Sequence, residues 1–250
     1  MKLRAFLGIA AGCGVTASLT VALFSAGCGS DKAAAPAGAQ VLDPTQPHYG
    51  QTDDQWAALW WKWIYELPQT AGNCIIPIHD PTGKNCAVGQ SQAVFFLAGT
   101  DTGVTVRDQC VVPAGKPIFF PILNFSADNG GVPPGMQLDD AGLMAAVQAQ
   151  MDMVSLPTLA AEFDGVPIPN LKNYKTQTTY FNYTLPPEPN VYTCNGATGV
   201  TGLIDPAYEA GYYVMIAPPP PGAHTLHFKG SSPASAPPLN VEVTYHFMIK

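Results

Sequence analysis

Residues 93–98 (AVFFLA) are apolar on both alternating faces. Ala93, Phe95 and Leu97 share one face, and Val94, Phe96 and Ala98 the other. A strand with one wet side would alternate polar and apolar residues, so this pattern predicts a strand covered on both sides. A turn cluster follows (GTDTG, residues 99–103), and then an alternating stretch in which Val104 and Val106 read as inward and Thr105 and Arg107 as outward. After the turn at residues 113–116 comes a third apolar run, PIFFPI. Its Pro121 cannot donate to a ladder, so the strand is expected to end there or to lie at an edge.

The helical period is clearest in TDDQWAALWWKWIYELP. Trp56, Leu59, Trp60, Trp63 and Leu67 fall on one face, Thr52 and Gln55 have capping-box spacing, and Pro68 stops the run. The apolar arc suits either a sugar-stacking or membrane-contacting surface or, more in keeping with so apolar a helix, an anchor packed on the outer face of the sheet. A second helix is predicted over residues 137–154, starting near Asp139 or Asp140 and burying Leu143, Met144, Val147 and Met151. Asp164-Gly165 marks a hairpin. Strands are expected over 174–185, 211–217, 225–228 and 239–249, with a long loop over 186–210. The pattern predicts a mainly β fold: a two-sheet antiparallel β-sandwich, jelly-roll-like, of about ten strands, with a Trp-rich helix near the N-terminus and one further helix.

Composition agrees with short strands and many turns: 25 prolines, 24 glycines and only 12% charged residues in 250. The formal charge is −7 and no basic run occurs, which argues against nucleic-acid binding. The chain opens on Lys2 and Arg4 followed by an apolar run, so residues 1–27 read as a signal peptide. The run ends in SAGCGS, which resembles a lipobox with Cys28 as the lipidated residue, although Ser25 stands where leucine is usual. Ordinary signal cleavage and an uncleaved anchor are the alternatives. Gly29, in place of aspartate, suits outer-membrane sorting. Residues 28–47 read as a flexible tether and 48–250 as a single domain.

Of six cysteines, Cys13 lies in the targeting run and Cys28 is the lipid site. An antiparallel hairpin between the first two strands would place Cys86 beside Cys110, which leaves Cys74 with Cys194. A free or metal-bound thiol pair is the alternative, but no CxxC spacing occurs.

Catalytic signals are sparse. His79-Asp80 is a neighbouring pair in a loop with a good turn, DPTG, and adjacency alone makes no dyad. Asn124, Ser126, Asp128 and Asn129 offer oxygens that calcium would accept, but their spacing fits no EF-hand loop, so a surface loop is the better reading and no cofactor or metal is assigned. His224 and His227 are three apart on a strand and face opposite sides. No GxSxG, HExxH, P-loop or dinucleotide fingerprint is present.

Three functional classes follow. The first is a non-catalytic lipoprotein that binds a ligand, plausibly a glycan, through Tyr174, Tyr180, Tyr183, Tyr192 and Tyr212 in one exposed concave patch, with Asp128 and Asn129 as further contacts. The second is a secreted hydrolase, which needs two carboxylates roughly 5–10 Å apart in one cleft. The third is a structural envelope protein with an exposed apolar patch on the tryptophan helix and an envelope protein as partner.

Three blocks carry a resemblance: YGQTDDQWAALWWKWIYELP, the stretch from CAVGQSQAVFFLAGT through CVVPAGKPIFFPILN, and PPGAHTLHFKGS followed by VEVTYHFMI. Together they resemble a group of uncharacterised secreted proteins of soil-dwelling and other environmental bacteria. The resemblance implies export and supplies no catalytic residues.

Overall fold

The computed structural model describes residues 40–250; the segment expected to be a signal peptide, Cys13, Cys28 and most of the expected tether lie outside the described residues. Within them the chain is mainly β. Helix α1 (Asp53–Tyr65) begins at a capping box in which the Thr52 hydroxyl accepts from Gln55 N–H at 3.3 Å and the Gln55 side-chain oxygen accepts from Thr52 N–H at 2.9 Å. Strands β1 (Phe95–Phe96), β2 (Gly103–Val112) and β3 (Ile118–Asp128) follow, then helix α2 (Asp140–Asp152), capped by Asp139. Next come β4 (Ala160–Phe163), β5 (Val166–Pro167), β6 (Thr179–Leu185) and the short helix α3 (Val191–Cys194). The chain closes on β7 (Gly202–Ile216), β8 (Gly222–Ser232) and β9 (Leu239–Ile249).

One sheet has the order β1-β3-β7-β6 and the other β2-β9-β8-β4-β5. Their inner faces share a core that includes Phe120, Val214, Phe228, Val243 and Tyr245, and α2 adds Leu143, Val147 and Met151 to it. The outer face of the first sheet is covered by α1, where Trp56, Trp60 and Trp63 meet Phe96, Phe119 and Tyr213. Residues 93–98, of which Phe95–Phe96 form the edge strand β1, are therefore covered on both sides as their pattern predicts. Phe95 and Leu97 enter the inter-sheet core, and Val94, Phe96 and Ala98 enter the core under α1. The three tryptophans on that face are buried, so the helix is an anchor rather than an apolar docking surface. Of the four residues expected on the buried face of α2, Met144 instead points outward, 39% exposed.

The sheets depart from a purely antiparallel arrangement. β1 pairs with β3 in parallel, and β2 pairs with β9 in parallel. The two strands expected to form the first hairpin belong to different sheets, because the chain crosses from one to the other between Ala98 and Gly103. That crossing also reverses the faces of β2. Thr105 and Arg107 are buried, whereas Val104 is 73% and Val106 48% exposed. A one-residue change of register turns every side chain to the other face.

Both disulfides are present, Cys86–Cys110 and Cys74–Cys194. The first arises without a hairpin. The loop ahead of Cys86 is drawn against β2 by a hydrogen bond from Gln109 N–H to Thr82 C=O at 3.0 Å. Asp164 and Gly165 both have positive φ, 50° and 75°, as a two-residue hairpin of this hand requires. β3 runs through Pro121, with a bulge between Pro121 and Leu123. The missing N–H costs nothing there, since β1 pairs only as far as Phe119 and leaves that side of β3 without a strand. The expected loop over 186–210 is shorter, because β7 begins at Gly202.

Candidate functional site: a braced cavity beside α1

The site is organised by Arg107, which is 1% exposed and, among the described residues, has no carboxylate within salt-bridge distance. Its Nε donates to Asp80 C=O at 2.8 Å. Nη1 donates to Ala98 C=O at 2.8 Å and to the Tyr245 hydroxyl. Nη2 donates to Ile78 C=O at 3.0 Å and Gly99 C=O at 2.9 Å. A planar fork of five N–H groups can meet several carbonyls at once, which an ammonium on a flexible stem cannot. Tyr245 completes the clamp: its hydroxyl donates to Ala98 C=O at 2.9 Å and accepts from Ala98 N–H at 3.1 Å. The backbone of Ala98 is thereby held on both its N–H and its C=O, and two loops, residues 76–80 and 98–101, are pinned to one side chain.

These loops wall a cavity of about 370 Å³. Trp61, Ile64 and Tyr65 of α1 form a second wall, and residues 121–124 of β3, where β1 no longer covers the strand, form a third. Val191 and Asn195 from the α3 segment and Leu239 and Val241 from the start of β9 complete the lining. The Cys74–Cys194 disulfide ties the loop that carries Ile76 and Ile78 to the α3 segment, so it joins two of the walls.

The polar end of the cavity is His79 and Asp101. His79 Nε2 lies 2.7 Å from Asp101 Oδ2. The hydrogen bond to Asp101 raises the pKa of His79, and the same bond lowers that of Asp101. Asp80, the sequence neighbour of His79, is not its partner. Its carboxylate accepts from the N–H of Thr82 at 2.9 Å and of Asn85 at 2.7 Å and closes the turn. Burial opposes ionisation of Asp80, but these bonds outweigh it and hold its pKa below the usual value. Asp101 is the one carboxylate among the residues lining the cavity, so the two-carboxylate cleft that a glycoside hydrolase requires is not formed there.

The residues singled out in the sequence for ligand contact are placed differently. Tyr183, Tyr192 and Asp128 come together as a half-buried knot. Tyr183 donates to Asp128 Oδ2 at 3.0 Å, Tyr192 donates to Asp128 Oδ1 at 2.8 Å, and the two hydroxyls are 2.8 Å apart. Tyr65 stacks on Tyr183 at 4.3 Å and bonds Ser126 at 2.8 Å. Burial raises the pKa of all three phenols. With Asp128 fully occupied, the knot ties α3 to β3 and β6. Asn129 is likewise spent, pairing Leu138 through N–H and C=O at 2.9 and 2.8 Å. Tyr212 is buried, Tyr174 is half-buried on the segment before β6, and Tyr180 is 49% exposed. The five tyrosines therefore do not make one exposed concave patch. Asn124, one of the four oxygen-bearing residues considered for calcium, lines the cavity instead and donates its Nδ2 to the Tyr213 hydroxyl at 2.9 Å. His224 is buried with Asp164, 2.8 Å from Nδ1, on the face opposite His227.

Sequence reasoning missed Arg107, Asp101 and Asn195 as site residues. The one available signal was Arg107 itself, an arginine inside a strand of a chain with few charges. No family model, characterised protein or solved structure matches the chain. Two disulfides in the folded domain belong to an oxidising compartment and so to an exported protein. Among the described residues no helix is long and apolar enough to cross a membrane.

Proposed function

We propose that the chain is an exported lipoprotein of the bacterial cell envelope, tethered at Cys28 to the outer membrane, whose domain binds a small molecule without catalysis in the cavity beside α1. The observation that carries this reading is the cavity: a concave, largely apolar space that opens to solvent, with a few polar groups at one end, the usual form of a small-molecule site. Its walls are held independently of a ligand by Arg107 and by the Cys74–Cys194 disulfide, and such preorganisation lowers the ordering cost of binding. The tyrosines considered for ligand contact do not line this space, whose one tyrosine is Tyr65. The tether rests on the SAGCGS segment.

Native mass spectrometry of the full chain, purified from its own envelope fraction, tests both parts. The expected result is an acylglyceryl mass on a chain beginning at Cys28, together with one small-molecule adduct that is released on unfolding and missing from the cavity-filling variant Ile78→Trp. An unlipidated chain overturns the tether. A chain without an adduct, or one that keeps it in Ile78→Trp, overturns the binding site.

A further inference from the structure

We propose that the ligand of this cavity is a neutral, mainly apolar ring compound with a single hydroxyl, an alcohol or a phenol, seated with that hydroxyl at the His79–Asp101 end. The inference rests on the binding reading above and narrows it to a chemical class.

Charge decides the first part. Among the described residues no lysine or arginine lines the cavity. The lone carboxylate, Asp101, is already held by His79 at 2.7 Å. Each member of that pair favours the ionised form of the other, and an ion pair is net neutral toward a third group. Neither an anionic nor a cationic head group would find a free opposite charge there to repay its own desolvation. A neutral ligand escapes both penalties.

The walls decide the second part. Trp61, Ile64, Ile76, Ile78, Leu239 and Val241 present aromatic and aliphatic surface. A glycan needs a hydrogen-bonding partner for nearly every hydroxyl it buries, and the one side-chain donor on these six residues is the buried indole N–H of Trp61. Ring faces and methylenes are the complementary surface, and flat aromatic walls favour rings.

The remaining polar groups decide the third part. The amides of Asn124 and Asn195 each turn a nitrogen inward, onto the Tyr213 hydroxyl at 2.9 Å and the Val191 carbonyl at 3.0 Å. Thr100 is engaged with Thr105 at 3.1 Å. What is left is the two amide oxygens, which accept, and the His79–Asp101 pair at the polar end, and a hydroxyl, which both donates and accepts, can meet either.

The test compares four probes on the full chain by isothermal titration, with identical detergent blanks: 2-naphthol, 2-naphthoate, 2-naphthylmethylammonium and maltotriose. The first three share one ring system and differ in head group. The expected result is 1:1 binding of 2-naphthol at least tenfold tighter than either charged naphthalene, no binding of maltotriose, and loss of 2-naphthol binding in Ile78→Trp and in Leu239→Trp. Both variants are first shown to melt cooperatively, and the two positions lie on different walls. Tighter binding of a charged probe or of maltotriose overturns the neutral apolar assignment and leaves the binding module standing. Binding of 2-naphthol that survives both fillings places it outside the cavity and overturns the assignment. If no probe binds, the assignment fails, and the native adduct described above then decides whether the binding reading fails with it.

Discussion

His79 and Asp101 are 22 residues apart in the chain and 2.7 Å apart in the fold. The contact exists because Arg107 holds the residue before His79 and a residue shortly before Asp101 on the same nitrogen. The pair makes a titration prediction. His79 has a raised pKa, so its contribution to stability is full below the unfolded value of about 6.5 and is lost as pH rises through the folded value. Asp101 has a lowered pKa, so its contribution is present above its unfolded value of about 3.9 and is lost as pH falls through the folded one. The contact is therefore strongest between about pH 4 and 6.5. An NMR titration of the His79 ring should show a midpoint above the ordinary histidine value, and Asp101→Asn should return it toward that value. An unchanged midpoint in Asp101→Asn would remove the pairing.

Arg107 makes a stability prediction. Replacing it with methionine keeps much of the volume but strips donors from four carbonyls and from the Tyr245 hydroxyl in a buried setting. The expected loss is about 3–5 kcal/mol in urea unfolding, since several buried acceptors lose a charged donor at about 1–3 kcal/mol each and relaxation recovers part of the sum. Arg107→Lys should recover only part of it, because one ammonium cannot span both loops. A cost of Arg107→Met under about 1 kcal/mol would show that the clamp does not hold the loops.

Arg107 also marks the boundary of what the sequence reveals. Local patterns were legible wherever a single element decides the outcome. The capping box of α1, the aromatic face that anchors it, the cap of α2, the Asp164-Gly165 turn and the two-sided burial of 93–98 all follow from spacing within a few residues. The face of β2 did not follow. Valines read as buried and an arginine as exposed, yet here five acceptors brought together from three distant segments make the arginine the better core residue. The cavity was illegible for the same reason: its lining comes from α1, β3, β9, two loops and the α3 segment, and no stretch of sequence carries more than a fraction of it. The disulfide pairs were legible by elimination, although the crossing from one sheet to the other replaced the hairpin that had suggested the first.

The two disulfides should differ in what they control. Cys74–Cys194 closes a sequence span of 120 residues and Cys86–Cys110 one of 24. Chain-entropy arguments give about 5 and about 3.5 kcal/mol for such spans. The double substitution Cys74→Ala/Cys194→Ala should therefore lower the melting temperature at least as far as Cys86→Ala/Cys110→Ala. It should also weaken retention of the native adduct, because it separates two cavity walls. At a temperature where both variants remain folded, equal retention of the adduct would show that the disulfide does not brace the site.

Glu209 lies beneath α1 with 0% exposure. Its Oε2 accepts from the Tyr213 hydroxyl at 3.0 Å, and Oε1 has no hydrogen-bond partner. Burial pushes its pKa well above the carboxylate range. The sign follows directly: with a raised folded pKa, its contribution to stability is full below the unfolded value of about 4.3 and is lost as pH rises. Asp53, in the first turn of α1, has the same sign. Burial raises its pKa from 3.8 to about 7, so its share is lost between those values. The docking of α1 should therefore weaken from mildly acidic to mildly alkaline pH, in opposition to the lowered carboxylates Asp80 and Asp101. Glu209→Gln keeps the shape and removes the charge. It should be near neutral at pH 5 and stabilise by about 1–3 kcal/mol at pH 8, the cost of leaving a buried polar group unsatisfied. Urea unfolding at the two pH values reads this difference. Equal effects at both would mean that Glu209 does not titrate between folded and unfolded states.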